Sequence, residues 1–452
     1  MERYDKYKPS VIEWIGEIPE HWDSKRLKYV ASVQPSNVDK KTIEGELPVL
    51  LCNYMDVYKN EFIDSSINFM EATATEAEIA KFKIKKGDVL VTKDSETPDD
   101  IAKPAFVKDD FENVNVICAY HLTQIRPNRS ELIGEYLFRL FRENKYKGQF
   151  EVAANGVTRF GISVSAFSDA FVPLPRPEEQ TAIANYLDDK TAQIETLIAN
   201  KQKLIELLKE ERTTIINHAV TKGINPKAKF KHSGIEWLGD IPEHWEVKRM
   251  TFYVGYVKGY AFNTELFQPD GMPVIKASDI KNLTIRKGKD FLRPDIVEQF
   301  EKVKLKTGDI IISTVGSTPD VVNSAVGQVA RVPEEFNGAY LNQNTVKFYS
   351  FNDETFANDM LFYTLISNPY RIYLDLYAHG TANQASLNIE DMLNFSVAIP
   401  DDHEQRKIIE YLKISITNIN NIASKIEKEI ELLQDYRTAL ISEVVTGKIK
   451  VA

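Results

Sequence analysis

The chain has 452 residues, 43% hydrophobic and 27% charged, with 2 cysteines, and its 56 Lys+Arg against 66 Asp+Glu give a net charge of −10. That is globular composition, long enough for two to four domains. It excludes a disulfide framework, a membrane span of ~18 apolar residues, and a nonspecific cationic coat for nucleic acid, while leaving a local basic face open. Cys52 and Cys118 are far apart in sequence, and the start MERYDKYKPS has no apolar secretory core, so a cytoplasmic protein is expected.

In chain order, the first signal is Trp14-Ile15-Gly16-Glu17-Ile18-Pro19-Glu20-His21-Trp22, followed by Lys25-Arg26. It reads as a packing and turn element in which the rings bury area and the His satisfies a backbone group. Val89-Leu90-Val91-Thr92 follows a Gly-Asp turn and reads as a buried strand, and residues 132–142 read as an amphipathic helix. Two polar loops carry candidate readers of DNA: Lys93, Ser95 and Thr97 in the first, Asn155, Thr158 and Arg159 in the second. Arg pairs with guanine, Asn and Gln with adenine, and Ser or Thr with bases or phosphates.

After Pro175 no proline interrupts the chain until Pro226, so residues 178–221 can run as one helix of roughly 44 residues, about 66 Å at 1.5 Å per residue. Glu179 and Gln180 suit its first turn. Leu187, Ile194, Leu208 and Ile215, with Ile198 and Ile205 between them, mark a heptad seam broken by Thr191, Lys201 and Arg212. Gly223 stands where a left-handed cap would end the helix.

The chain then repeats itself. Trp237-Leu238-Gly239-Asp240-Ile241-Pro242-Glu243-His244-Trp245 and Lys248-Arg249 answer the opening at an offset of 223, Trp22 to Trp245. Ile310-Ile311-Ile312-Ser313 answers the buried strand, residues 356–367 the amphipathic helix, and Glu404-Gln405 the pair at the helix start. The polar loops here offer Thr314, Ser317 and Thr318, then Thr381, Asn383 and Gln384. A second helix over 402–446 carries Leu412, Ile419, Ile426, Leu433 and Leu440, with Ile430 in the companion set and Arg437 as a polar break, and ends at Gly447. The frame repeats and the loops differ, as two modules with one kind of task and two targets would. The two long helices either pair within the chain or sit in separate bundles, and heptads alone leave their polarity open.

Catalytic patterns are sparse. There is no GxxxxGK[ST], GxGxxG or HExxH. Asp270, Asp279 and Lys281 imitate the acidic-plus-lysine set of metal-dependent nucleases, without a counterpart in the first half. Asn368-Pro369-Tyr370 imitates part of an amino-methyltransferase motif and reads as a helix terminus.

The openings, the Gly-Asp strands, the Glu-Gln helix starts and the two long helices, in this order twice over, resemble the DNA specificity subunit of Type I restriction-modification systems. The resemblance implies a mixed α/β fold of two target-recognition domains in pseudo-twofold tandem repeat, over 1–175 and 224–400. Long spacer helices, over 176–223 and within 401–452, would form an antiparallel coiled coil. It implies a noncatalytic reader of a bipartite double-stranded DNA site, with the gap set by the helices. Two methyltransferase subunits and restriction subunits would be its partners, and S-adenosylmethionine, ATP and Mg²⁺ would belong to those partners, none to this chain. A specificity subunit of a related methyltransferase-nuclease system and a coiled-coil adaptor without DNA binding are the alternatives. Exchanging residues 1–175 for those of a relative is expected to change one half of the methylated site only. Sequencing methylated DNA checks this, and a change in both halves or neither would defeat the modular reading.

Overall fold

The computed structural model describes residues 2–13, 15–317, 326–381 and 384–451, so Trp14 lies outside the described residues. The chain forms two compact units, Met1–Gln202 with Glu427–Ala452, and Lys203–Ile426. The division therefore falls inside the long helices, because each stretch of helix belongs with the core onto which it packs.

Both units use one frame. In the first, a sheet runs in the spatial order Ala31–Pro35, Leu122–Pro127, Val89–Thr92, Pro104–Val107 and Phe62–Ile63. In the second, Val254–Lys258, Thr345–Ser350, Ile310–Ser313 and Val329–Arg331 follow the same order. The central strand of each is buried along its whole length. Alternation explains why it must be apolar throughout. Val89 and Val91 face a core shared with helices, while Leu90 faces a second core built on the sheet Val116–Cys118, Leu47–Cys52 and Met70–Ala74. Ile310 and Ile312 against Ile311 divide in the same way. The Gly-Asp turn before each strand is closed by its aspartate, whose Oδ2 accepts the backbone N–H of Lys85 (2.8 Å, Asp88) or Lys306 (2.8 Å, Asp309). The amphipathic helices form at Gly134–Phe141 and Asn358–Leu365.

The first long helix spans Pro177–Lys222 and the second Asp402–Val445. Within the first unit they run antiparallel, since Lys201 pairs with Glu429 while the earlier Glu195 pairs with the later Arg437 at 3.3 Å. Two of the polar breaks in the seam are thus ion pairs across it. Ile183, Leu187, Ile194 and Ile198 share a core with Leu440, Ile441, Val444 and Val445, and Ile430 and Leu433 pack at its margin. Within the second unit, Ile216, Ala219 and Val220 share a core with Ile408, Ile409 and Leu412, with Ile215 and Ile416 at its margin. Ile205, Leu208, Ile419 and Ile426 are buried there as well. Near its end the seam moves from Ile215 to Ile216, because 3.6 residues per turn drift against a seven-residue repeat.

The start of each helix is pinned to its own unit. Gln180 is fully buried: its Nε2 donates to the carbonyls of Glu131 (2.7 Å) and Pro175 (2.9 Å), and its Oε1 accepts the N–H of Ile133 (2.9 Å). Gln405 repeats this with Thr355, Pro400 and Ala357, each at 3.0 Å. Beside it, Glu179 accepts the indole N–H of buried Trp22 (3.0 Å) and meets His21 Nε2 (3.0 Å); Glu404 does the same for Trp245 (2.9 Å) and His244 (2.7 Å). The histidines therefore serve these carboxylates and not a backbone group, and the Glu-Gln pairs do more than favour the macrodipole.

Both helices end on a left-handed glycine, Gly223 at φ +72° and Gly447 at φ +73°. A Cβ at Gly447 would lie 2.4 Å from Pro19 Cδ, whereas at Gly223 its nearest neighbour is Trp245 Cζ2 at 3.1 Å. Gly447→Ala should therefore cost about 2–4 kcal/mol, combining backbone strain with overpacking, and Gly223→Ala about 1–2 kcal/mol. Denaturant unfolding reads both, and equal losses would contradict the difference in space.

Candidate functional site

The two polar loops of the first unit, far apart in sequence, are joined in one small antiparallel sheet. Asp94–Ser95 pairs with Phe160–Gly161, which pairs with Asn155–Gly156. In the second unit Val315–Gly316 pairs with Gln384–Ser386, which pairs with His379–Thr381. Matching backbone bonds fix the equivalence. Lys93 N–H donates to His121 O (3.1 Å) and Thr314 N–H to Asn344 O (2.9 Å), while Ile162 and Leu387 donate to the carbonyls of Lys93 and Thr314 at 2.9 and 2.8 Å. A buried strand thus delivers each loop sheet to the rim of its unit.

The side chains on these sheets do not all face outward. Lys93 turns in, donating from Nζ to Ser36 O at 2.8 Å and lying 5.0 Å over the Tyr120 ring, and burial pushes its pKa down. Ser95 and Thr314 are buried, and Ser317 is half-buried. Thr97, Asn155, Thr158 and Arg159 are exposed. Thr318 and Asn383 lie outside the described residues, as do the side chains of Thr381 and Gln384.

Thr97, Thr158 and Arg159 border a cavity of about 530 Å³ with Ser95, Tyr54, Tyr58 and Asp100. Tyr54 and Tyr58 sit one turn apart on the helix Tyr54–Lys59 and stack, with ring centroids 5.4 Å apart. Tyr58 donates its hydroxyl to Asp100 Oδ2 at 2.5 Å, which raises its pKa, and Lys103 Nζ lies 3.8 Å over the same ring. Arg159 is held by Asp94, whose Oδ1 accepts from its Nη2 (2.6 Å) and Nε (3.2 Å), while Asp94 Oδ2 lies 2.7 Å from His121 Nδ1. In the second unit a cavity of about 400 Å³ beside the loop sheet is lined by Tyr256, Lys258, Thr314, Gln343, Asn344 and Asn388 among others. Both linings hold aromatic and charged groups, and the second adds the amides of Gln343, Asn344 and Asn388. Such groups bind base edges and phosphates by hydrogen bonding, without covalent chemistry.

The two tyrosines, His121, Gln343 and Asn344 were not legible as site residues from motifs. One signal did exist: the 223-residue offset that relates Trp22 to Trp245 also relates His121 to Asn344.

Within the nuclease-like set of Asp270, Asp279 and Lys281, Asp279 is employed otherwise. Asp279 Oδ2 accepts the N–H of Lys276 at 2.8 Å in a tight turn, burial raises its pKa, and Lys276 pairs with Asp290 at 2.7 Å. Among the described residues no group of three or more His, Cys, Asp or Glu could hold a metal ion. Asn368 and Pro369 open the helix Asn368–Tyr377, and Tyr370 is buried. No helix among the described residues is long and apolar enough to cross a membrane. Cys52 and Cys118 are free and buried.

The family described as Type I restriction modification DNA specificity domain matches residues 19–207 and again 242–432. The Type I restriction enzyme MjaVIII specificity subunit of Methanocaldococcus jannaschii is 24% identical, over 96% of this chain and 94% of the relative. The Type I restriction enzyme EcoKI specificity subunit of Escherichia coli is 18% identical, over 96% and 90%. Among solved structures, a chain of a type I R-M system, studied for complex assembly and conformational transition, superposes with a TM-score of 0.71 at 15% identity, over 96% of this chain and 99% of that one. The HsdS subunit from Thermoanaerobacter tengcongensis gives 0.56 at 17% identity, over 96% and 98%. These structures share the fold.

Proposed function

Because the chain belongs to the Type I restriction modification DNA specificity domain family, matched twice over, we propose that it is the noncatalytic DNA-reading subunit of a Type I restriction-modification complex. Each unit reads one half of a bipartite double-stranded site. The single observation that carries this reading is the pair of equivalent loop sheets, alike in backbone and unlike in side chains. A common frame suits a common task, and different rims suit different sequences.

The division of labour follows. Adenine methylation and ATP-dependent cleavage reside in partner subunits, which carry S-adenosylmethionine, ATP and Mg²⁺. Two methyltransferase subunits dock on this chain, and restriction subunits join them. The gap between half-sites is set by the long helices, of 46 and 44 residues, each of which contributes to both units. The reduced, buried cysteines suit a cytoplasmic complex. With a net charge of −10, DNA affinity rests on local phosphate contacts and weakens as salt rises.

Single-molecule methylation sequencing of DNA from a host expressing this chain with its methyltransferase partner tests the reading. A split motif with a fixed gap, lost when this chain is omitted, is expected; no chain-dependent methylation by a folded, assembled complex would refute it. Lengthening both helices by matched whole turns should widen the unread gap and leave both half-sites unchanged. An unaltered gap would remove the helices from that role.

A further inference from the structure

The two loop sheets differ at one cluster. In the first unit the cluster is Asp94, His121 and Arg159; in the second, Val315 and Asn344 stand where Asp94 and His121 would be. Asp94 is sunk into its unit with 15% of its side chain exposed, while Arg159 reaches out with 56% exposed. The carboxylate uses both oxygens, Oδ1 on the Nη2 and Nε of Arg159 at 2.6 and 3.2 Å, and Oδ2 on His121 Nδ1 at 2.7 Å. A free surface arginine samples many rotamers. One clamped along its Nε–Nη2 edge by a fixed carboxylate has given up much of that freedom before any ligand arrives.

The clamp also selects which edge is offered. Nε and one Nη2 hydrogen are directed at Asp94, and Nη2 also lies 3.2 Å from His121 Nδ1. With the Nδ1 proton given to Asp94 Oδ2, that nitrogen cannot accept from Nη2, and the outer edge remains, where Nη1 and Nη2 project parallel donors. In the major groove guanine presents two adjacent acceptors, O6 and N7, to such a fork. Adenine places a donor beside N7, and the pyrimidines offer no acceptor pair. Resting on the DNA-reading role proposed above, the geometry points to Arg159 as the guanine-reading residue of the first half-site, with Asp94 as its positioning residue. The second unit, with Val315 and Asn344 at the equivalent places, reads its half by other chemistry.

A phosphate would accept the same fork, so the test must separate base reading from backbone contact. The assembled complex of the full chain with its methyltransferase partner is used to select duplexes from a random-sequence pool, and the bound fraction is sequenced. The unaltered complex should select a split motif with guanine in the half assigned to residues 1–175. Arg159→Ala should lower the preference for that guanine by about 5- to 140-fold, the range for one lost bidentate contact, with every other position unchanged. Arg159→Lys keeps the charge toward Asp94 and guards against a folding artefact; it should keep only part of the guanine preference, since an ammonium reaches O6 and N7 without the fixed planar fork. Asp94→Asn should weaken preference at that base pair alone, and Asp94→Glu should restore part of it, which a merely structural role would not produce.

Uniform loss of affinity with unchanged base preference in Arg159→Ala would overturn the inference and make Arg159 a phosphate contact. A split motif without guanine in the first half would also overturn it, leaving the DNA-reading role intact. Selection of no motif by the unaltered complex would defeat that role, and this inference with it.

Discussion

The buried glutamine at the start of each long helix is the constraint on which the rest of its unit depends. Gln180 and Gln405 each satisfy three backbone groups with one side chain, and those groups belong to the turn before the helix and to the segment leading into the amphipathic helix. Both glutamine side chains are buried, so each bond lost would leave an unpaired polar group on them at a cost of about 1–3 kcal/mol. Three such bonds define a direction. The neighbouring Glu179 and Glu404 add the indole and imidazole contacts, so that helix, opening element and α/β body of one unit are held as a single rigid piece.

Rigidity of that kind is what permits the loop sheets to differ. Asp94–Ser95 and Val315–Gly316 emerge from strands buried on both faces, and their backbone bonds to the neighbouring strand are the same in both units. Side chains at the rim can then change from Asp94 and His121 to Val315 and Asn344 without altering the support. Side-chain chemistry varies on a surface whose position is already fixed by packing.

Much of this frame was legible because it rests on periodicity and repetition. The apolar run Val89 to Thr92, the heptads of the long helices and the 223-residue echo are properties of residue order, and the structure realises them with shifts of one or two residues. The rim was harder to read. Whether Lys93 faces outward depends on Ser36 and Tyr120, which come from other parts of the unit. Tyr58 meets Asp100 only after the strands between them have paired, and the parallel register of Val116–Cys118 on Leu47–Cys52 leaves no local sequence signature. The glutamine clamp escaped detection for a similar reason. Two of the three partners of each lie about fifty residues upstream, and a first-turn glutamine looks the same in sequence whether it is solvated or buried.

The composition of the first unit carries a consequence for biosynthesis. Residues 2–202 emerge from the ribosome first, yet the apolar face formed by Ile183, Leu187, Ile194 and Ile198 is covered by residues 427–445, which are made more than two hundred positions later. At roughly 5–20 residues per second that face waits on the order of ten seconds or more for its cover. Closing so long a loop is an entropic step that local contacts cannot replace. The half-made first unit is therefore the aggregation-prone species of this chain, and a translational pause or premature stop before residue 427 leaves it exposed.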